Sequence, residues 1–138
     1  MLIEDLATLL AAGGPFTGGG DTFAVRTYLM PDGPSVDTVI VLSEGEGGGA
    51  DIRAMGASLA APVREQPILR VRVRSAKKKF TVARTVAETV HQLLSGYKGT
   101  LSGRQYYVKA VHPPRFLEHD RNDRIVFETN YLVQKERG

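Results

Sequence analysis

Three histidines, His91, His112 and His119, are the side chains in this sequence best suited to metal binding or proton transfer. Their spacing matches no metal-ligand pattern, because a hydrolytic zinc site typically combines two histidines on one helix face with a nearby carboxylate. The polar turn at residues 120–123 has a superficial likeness to a calcium loop but lacks the central glycine and the distal glutamate. The chain has no cysteine, which excludes thiolate metal sites, disulfides and cysteine nucleophiles. We therefore expect no metal and no cofactor.

Glycine runs at residues 18–20 and 47–49 are the segments that could cradle phosphate groups. Neither run ends in the Lys-Ser/Thr pair of a P-loop, and neither lies in the tight strand–turn–helix motif that binds dinucleotides. No serine lies in a nucleophile elbow, and no pair of acids stands out for general acid–base catalysis. We therefore expect that the chain is not an enzyme. The alternative, an enzyme with an unfamiliar site, requires a deep pocket that brings His91 or His119 together with Asp120 and Asp123.

Charge is distributed unevenly along the chain, although the net charge is only +3. Residues 1–63 contain eight carboxylates and two arginines, whereas residues 64–84 contain eight cations and one glutamate. The cations that define this basic stripe are Arg70, Arg72, Arg74, Lys77, Lys78 and Lys79. Three interpretations remain open: a solvated strand face, contact with nucleic-acid phosphates, or an ion-paired contact with the acidic half of a neighbouring subunit. No aromatic pair is interleaved with these cations, so base-specific recognition is disfavoured.

Hydrophobic periodicity predicts the elements that position these residues. Apolar side chains at helical spacing indicate a short helix over residues 2–12 and a long one over 76–95, with Ser75 as its N-cap and Gly96 as its stop. Strands are predicted at residues 23–30, 36–42, 68–74, 106–112 and 125–134, with a short strand or turn at 99–103. Strict alternation over 68–74 places the three arginines of the stripe on one face of a strand.

Two strands carry a prediction about burial. Residues 39–42 are apolar at every position, which is typical of a strand that is central or covered on both faces. In the last strand, Ile125, Phe127 and Tyr131 alternate with Glu128 and other residues of the opposite face. We expect the aromatic face of that strand to point into the core.

The segment at residues 44–66 is a long loop rich in glycine and alanine. One interpretation is a flexible tether, and the other is an extended arm that becomes ordered against a neighbouring subunit or another partner. Met55, Leu59 and Val63, which are spaced by four, could anchor such an arm as a helical turn or two.

Length and composition describe one ordinary folded domain. The chain has 138 residues and is 42% hydrophobic and 24% charged, which is typical of globular proteins. It contains neither an apolar run long enough to span a membrane nor the basic start of a signal peptide, so we expect a cytoplasmic product or one assembled from a cytoplasmic pool. The sequence predicts a single α+β domain over residues 1–138, with a mostly antiparallel sheet, an N-terminal helix and one long helix packed on it.

The order of these elements, together with several local segments, resembles the tail terminator proteins of long-tailed bacteriophages, which are often labelled minor capsid proteins. The segments that carry the resemblance are the N-terminal amphipathic helix, Pro31-Asp32-Gly33-Pro34, the strand from Pro67 to Arg74, His91-Gln92-Leu93-Leu94-Ser95-Gly96, Gly103-Arg104-Gln105-Tyr106-Tyr107, Pro113-Pro114-Arg115-Phe116-Leu117, and the strand from Val126 to Val133. The resemblance spans most of the chain and rests on structural patterns rather than on catalytic signatures.

The resemblance implies a non-catalytic virion subunit that forms a ring, commonly hexameric, at the head-proximal end of the tail, where it terminates the tail tube and joins it to the head. The implied partners are further copies of the chain, the tail tube protein and a neck or head-completion protein, with non-specific contact to DNA passing through the lumen. Two alternatives stay open: a related neck or head-completion protein, and a nucleic-acid-binding module that uses the Arg70–Lys79 stripe. If the stripe forms the subunit contact, replacing Arg70, Arg72 and Arg74 with glutamate should leave a folded monomer that forms no ring.

Overall fold

The computed structural model describes residues 2–14, 16–18, 20–28, 38–44, 49–52, 64–66, 68–120 and 123–136. In these ranges the chain forms two helices and ten strands, and no helix is long and apolar enough to cross a membrane. The elements in chain order are α1 (Leu2–Ala12), β1 (Phe16–Gly18), β2 (Asp21–Thr27), β3 (Val39–Glu44), β4 (Gly49–Ile52), β5 (Arg64–Gln66), β6 (Ile68–Lys77), α2 (Phe80–Leu94), β7 (Lys98–Leu101), β8 (Arg104–Ala110), β9 (Arg115–His119) and β10 (Arg124–Glu136).

The last strand, β10, organises the sheet. One edge of β10 pairs with β6 and then β5, and its other edge pairs with β9 and then β8, all antiparallel. β3 joins β6, β2 joins β3, and β7 joins β8. Only the β2–β3 pair is parallel among the described strands, so the predicted α+β fold with a mostly antiparallel sheet is confirmed.

The structure places two strands, β4 and β5, inside the segment that the sequence predicts as a long loop. Gly49 pairs with Gln66 and Ile52 with Arg64, in the same antiparallel sense as the β3–β6 pair beside them. The predicted anchors Met55, Leu59 and Val63 lie outside the described residues, as does Pro31-Asp32-Gly33-Pro34. The glycine content that suggested a loop is therefore compatible with strand pairing at both ends of the segment.

Both helices pack on one face of the sheet and form the core there. α1 buries Ile3, Leu6 and Leu10, while α2 buries one stripe of small and branched side chains. From the sheet, the core takes the inward-facing residues of β10, which are Ile125, Phe127, Tyr131 and Val133, as predicted from their alternation.

The opposite face of the sheet is also covered in part. Val39 and Val41 of β3 point away from the helix-side core, yet they are 0% and 3% exposed. Their neighbours Ile40 and Leu42 belong to the core cluster. The prediction that residues 39–42 are buried on both faces is confirmed.

The start of the long helix differs from the prediction. The strand β6 continues to Lys77, Lys78 adopts a left-handed φ of 61°, and α2 begins only at Phe80. Ser75 is therefore a buried strand residue rather than the N-cap, and its hydroxyl donates to the carbonyl oxygen of Lys79 at 3.1 Å. The predicted stop is confirmed, because Gly96 has the positive φ of 79° that glycine tolerates best.

Besides β4 and β5, two further strands are absent from the prediction. β1 is a three-residue strand in a glycine-rich connector, and β9 lies between a proline pair and a polar turn. The register between β9 and β10 shifts between Val126 and Phe127. The side chains of β9 therefore do not alternate regularly between apolar and polar, which is the pattern that predicts a strand.

Candidate functional site

The arginines of the basic stripe lie on the sheet face opposite the helices. Arg70, Arg72 and Arg74 alternate along β6 with the core residues Leu69, Val71 and Val73, as the sequence predicts. They do not share one environment, however. Two carboxylates contributed by segments far along the chain divide them into separate clusters.

Arg74 belongs to the first cluster, which is buried. Its side chain is 1% exposed, and its Nη1 lies 3.8 Å from Oδ2 of Asp120. Arg124 is 2% exposed and places its Nε 2.7 Å from the same oxygen, while its backbone N–H donates to Asp120 Oδ1. This carboxylate therefore fastens the start of β10 to β6, and Arg74 serves the fold rather than a surface contact.

Glu128 of β10 is the centre of the second cluster. Its side chain is 8% exposed, and Oε2 accepts a 2.9 Å hydrogen bond from Arg72 Nε. Arg70 lies on the same side at 3.9 Å, and Arg115 from β9 approaches the other carboxylate oxygen at 3.8 Å. Three guanidinium groups thus surround a single buried carboxylate, which leaves the cluster with a positive charge. The three arginine side chains remain 29% to 59% exposed.

Sequence reasoning missed both Arg115 and Glu128. The signal was present for Glu128, because it interrupts an apolar strand on the face predicted to oppose the core. No local pattern could show that Arg115 would reach it, because that contact depends on the pairing of β9 with β10.

The lysines of the stripe do not join either arginine cluster. Lys77 and Lys78 are exposed at the turn before α2. Lys79 instead pairs with Asp21 of β2, with Nζ 2.8 Å from Oδ2. The basic and acidic segments of the sequence therefore meet within one chain at this point.

Further cations from other strands share the face of the arginines. Strand register places Arg26 beside Val41, and Lys98 beside Tyr107, on that side of the sheet. We define the basic sheet face by its six accessible cations, Arg26, Arg70, Arg72, Lys98, Lys109 and Arg115. The carboxylates on this face, among the side chains that the structure describes, are Glu118, Glu128 and Asp120, and Asp120 is held by the buried Arg74 and Arg124.

The helix side of the sheet carries acids that are engaged locally. Asp5 of α1 accepts hydrogen bonds from Ser102 Oγ and Tyr106 Oη, both at 2.7 Å, which ties α1 to the β7–β8 turn. Glu4 accepts a hydrogen bond from Tyr28, and this bond lowers the pKa of the Glu4 carboxyl and raises the pKa of the tyrosine.

The three histidines are not brought together as a metal site. Nδ1 of His91 lies 3.0 Å from the buried Tyr131 hydroxyl, whereas Nδ1 of His112 contacts the carbonyl of Pro113 and His119 packs against Phe116. Burial lowers the pKa of His91 and raises that of Tyr131. No group of three or more potential metal ligands occurs within the described ranges.

A groove of about 400 Å³ opens at the β7–β8 hairpin. Its lining includes Lys98, Gln105, Tyr107 and Gln134, so it adjoins the basic sheet face. None of the residues named for a hypothetical enzyme site lines this groove.

No protein-family model matches this sequence, and no curated protein matches it. A solved chain from the virion of a native gene transfer agent (GTA) particle is similar in structure. It superposes with a TM-score of 0.62 at 18% identity, covering 83% of this chain and 79% of that chain. This likeness extends over most of both chains, and at this identity it establishes that the two share a fold.

Proposed function

We propose that this chain is a structural virion protein that forms a ring, with six copies as the proposed state, at the head-proximal end of a phage tail. There it would terminate the tail tube and join it to the head or neck. Its role would be assembly rather than catalysis, with the subunits drawn from a cytoplasmic pool into the virion.

The observation that carries this proposal is the shared fold with a chain of a gene transfer agent virion. The likeness spans about four fifths of each chain, so it concerns the whole fold rather than one common motif. It agrees with the resemblance of the sequence to tail terminator proteins, which rests on local segments and on element order.

Open strand edges support self-assembly. In the described ranges β1 pairs only with β2, and β7 pairs only with β8, so each has one edge of free backbone groups. A head-to-tail contact that joins two different edges of neighbouring copies would pair these groups and generate a closed ring.

Exposed aromatic side chains on the helix side support contact with a second virion protein. Phe80 and Phe116 are 42% and 41% exposed, and their ring centroids lie 5.5 Å apart. Phe127 packs beneath both rings. Clustered exposed aromatic groups are typical of protein interfaces, and the tail tube protein is the proposed partner here.

The decisive experiment is mass photometry of the purified chain over a range of concentrations, followed by negative-stain microscopy. We expect ring-shaped particles with a single subunit number, alone or after addition of the tail tube protein. A Phe80→Ser/Phe116→Ser variant should keep its fold and form rings but lose binding to the tube.

A chain that stays monomeric at high concentration and beside the tube protein contradicts the proposal. Rings that bind only a neck or head-completion protein, and never the tube, would assign the chain to that neighbouring position instead.

A further inference from the structure

We propose that the basic sheet face is a sequence-independent binding surface for the phosphate backbone of duplex DNA. This inference goes beyond ring formation, because it concerns a face of the individual subunit. The basic sheet face also differs from the basic stripe of the sequence. Arg74 contacts Asp120 and Lys79 contacts Asp21, so neither belongs to this face. Strand pairing instead adds Arg26, Lys98 and Arg115.

The first support is the charge on this face. Six accessible cations from β2, β6, β7, β8 and β9 share this face with Glu118 and Glu128, and the further carboxylate of the described side chains here, Asp120, is already held by Arg74 and Arg124. The helix side is more nearly balanced, because Glu4, Asp5 and Asp21 lie there together with Lys79 and Arg104. Sheet pairing therefore converts a charge asymmetry along the chain into one between two faces, and a concentrated positive face attracts polyanions.

The second support is the way in which Glu128 holds the arginines. Oε2 of Glu128 lies 2.9 Å from Nε of Arg72 and 3.9 Å from Nε of Arg70. Oε1 lies 3.8 Å from Nη2 of Arg115. One carboxylate cannot neutralise three guanidinium groups, so positive charge remains for an external anion. The Nε of Arg70 is buried and has no hydrogen-bond acceptor in the described structure.

The spacing of these groups suits an extended anionic partner. Arg70 and Arg72 are two residues apart on one strand, which separates their Cα atoms by roughly 7 Å. Arg72 and Arg115 flank Glu128 across two strand spacings, or roughly 10 Å. The cations thus spread over the face in two directions instead of converging on one small ligand.

The chemistry between the cations favours a nucleic acid over a protein partner. The exposed parts of this face between the cations include the polar residues Ser43, Asn130, Gln105 and Thr100, while the apolar Val39 and Val41 on the same side are buried. Protein interfaces have apolar centres with few charges, whereas protein–DNA interfaces are more polar and strongly positive. The exposed apolar residues Phe80, Leu93 and Phe116 belong to the helix side or its rim, whereas the partly exposed Tyr107 lies on the basic sheet face beside Lys98.

Fluorescence anisotropy with labelled duplexes of two unrelated sequences tests the inference at several salt concentrations. We expect both duplexes to bind equally and with steep salt dependence. The Lys109→Gln/Arg115→Gln variant, which changes two exposed side chains, should bind on the order of tenfold more weakly and lower the log–log salt slope by about 2.

The matched control is Lys78→Gln/Arg84→Gln, which removes the same charge from the turn and exposed face of α2. Equal weakening by the two variants would show only an effect of net charge and would overturn the inference. Absence of duplex binding at low salt, or tighter binding to polyglutamate than to the duplex, would overturn it as well, the latter in favour of an acidic protein partner.

Ring formation is measured separately, by mass photometry of the same preparations. Rings that bind no duplex would contradict the DNA-binding surface alone. Monomers that bind duplex with the expected dependence on Lys109 and Arg115 would support the surface and contradict the ring.

Discussion

At the scale of single residues, two carboxylates determine what each arginine of the basic stripe can do. Asp120 contacts Arg74 and Arg124 in a buried cluster. Glu128 is the centre of a partly exposed cluster that contains Arg70, Arg72 and Arg115. A buried guanidinium without its carboxylate pays a desolvation penalty that an exposed one avoids through hydration. Substitutions along one strand should therefore have unequal consequences.

Arg74→Met tests this difference. We expect it to lower the free energy of unfolding by about 2–4 kcal/mol, because it removes one of the two guanidinium groups that compensate the charge of Asp120. Arg72→Met, at the partly exposed cluster, should cost about 1 kcal/mol or less. Urea denaturation followed by circular dichroism measures both values, and equal losses would contradict the division into two clusters.

This expectation also changes the test that the sequence suggested. A triple replacement of Arg70, Arg72 and Arg74 by glutamate would set a new carboxylate against Asp120 in the buried cluster. Such a variant should fail to fold, so loss of rings would say nothing about the subunit contact. The environment of Arg74 could not be predicted locally, because Asp120 reaches it only after β6 and β10 have paired.

His91 gives a prediction about pH. Burial lowers its pKa below the ordinary value of 6.5, nearby His112 lowers it further, and Glu88 opposes these effects. The unfolded chain therefore binds a proton at His91 more readily than the folded chain does, and stability is lost as pH falls through 6.5. His91→Gln should flatten this part of the curve of unfolding free energy against pH.

The measurement is urea denaturation at a series of pH values on both sides of 6.5. His119→Gln, at an exposed position on β9, is the matched control and should retain the slope of the unaltered protein. An undiminished slope in the His91→Gln protein would assign the pH dependence to other groups.

At the scale of elements, close packing of α2 against β1 explains why β1 ends in a glycine. A Cβ atom at Gly18 would come within 2.9 Å of Val82 Cγ1 and 3.3 Å of Val86 Cγ2. The absence of a side chain thus allows the helix to lie directly on the strand. The sequence alone could not show why a glycine is needed here, because Val82 is distant along the chain and meets Gly18 only in the folded structure.

Gly18→Ala should therefore destabilise the fold by about 1–3 kcal/mol through overpacking. Valine strongly prefers one rotamer in a helix, so Val82 cannot easily turn away. Combining Gly18→Ala with Val82→Ala should recover part of the loss, as a double-mutant cycle of thermal or urea unfolding would show. Additive losses in the double variant would contradict a direct clash between these two positions.

At the scale of the whole molecule, the proposed ring would depend on strand edges that have no partner within the described part of one copy. Leu101 and Arg104 flank the two-residue turn at Ser102 and Gly103, whose φ values are 51° and 77°. Such a turn makes 101–104 a hydrogen-bonded pair, so the N–H of Thr100 points away from β8. That N–H is available to a strand of another copy.

Thr100→Pro removes this outward N–H while sparing the pairing with β8. If β7 is an edge that joins neighbouring copies, the variant should remain a folded monomer and form no rings in mass photometry. Thr100→Ala, which keeps the N–H, should assemble normally. Rings formed by the proline variant would show that the copies join through another edge or face.

The sequence by itself determined what depends on local periodicity: the two helices, the inward face of β10, the burial of residues 39–42, and the common face of the arginines on β6. These follow from the repeat of 3.6 or 2 residues and need no knowledge of the partner strand. Only the tertiary structure decided that Arg74 is buried with Asp120, that Glu128 gathers Arg72 with Arg115, and that Lys79 reaches Asp21. Each of these contacts depends on strand register and on the packing of elements distant in sequence, which no local pattern encodes.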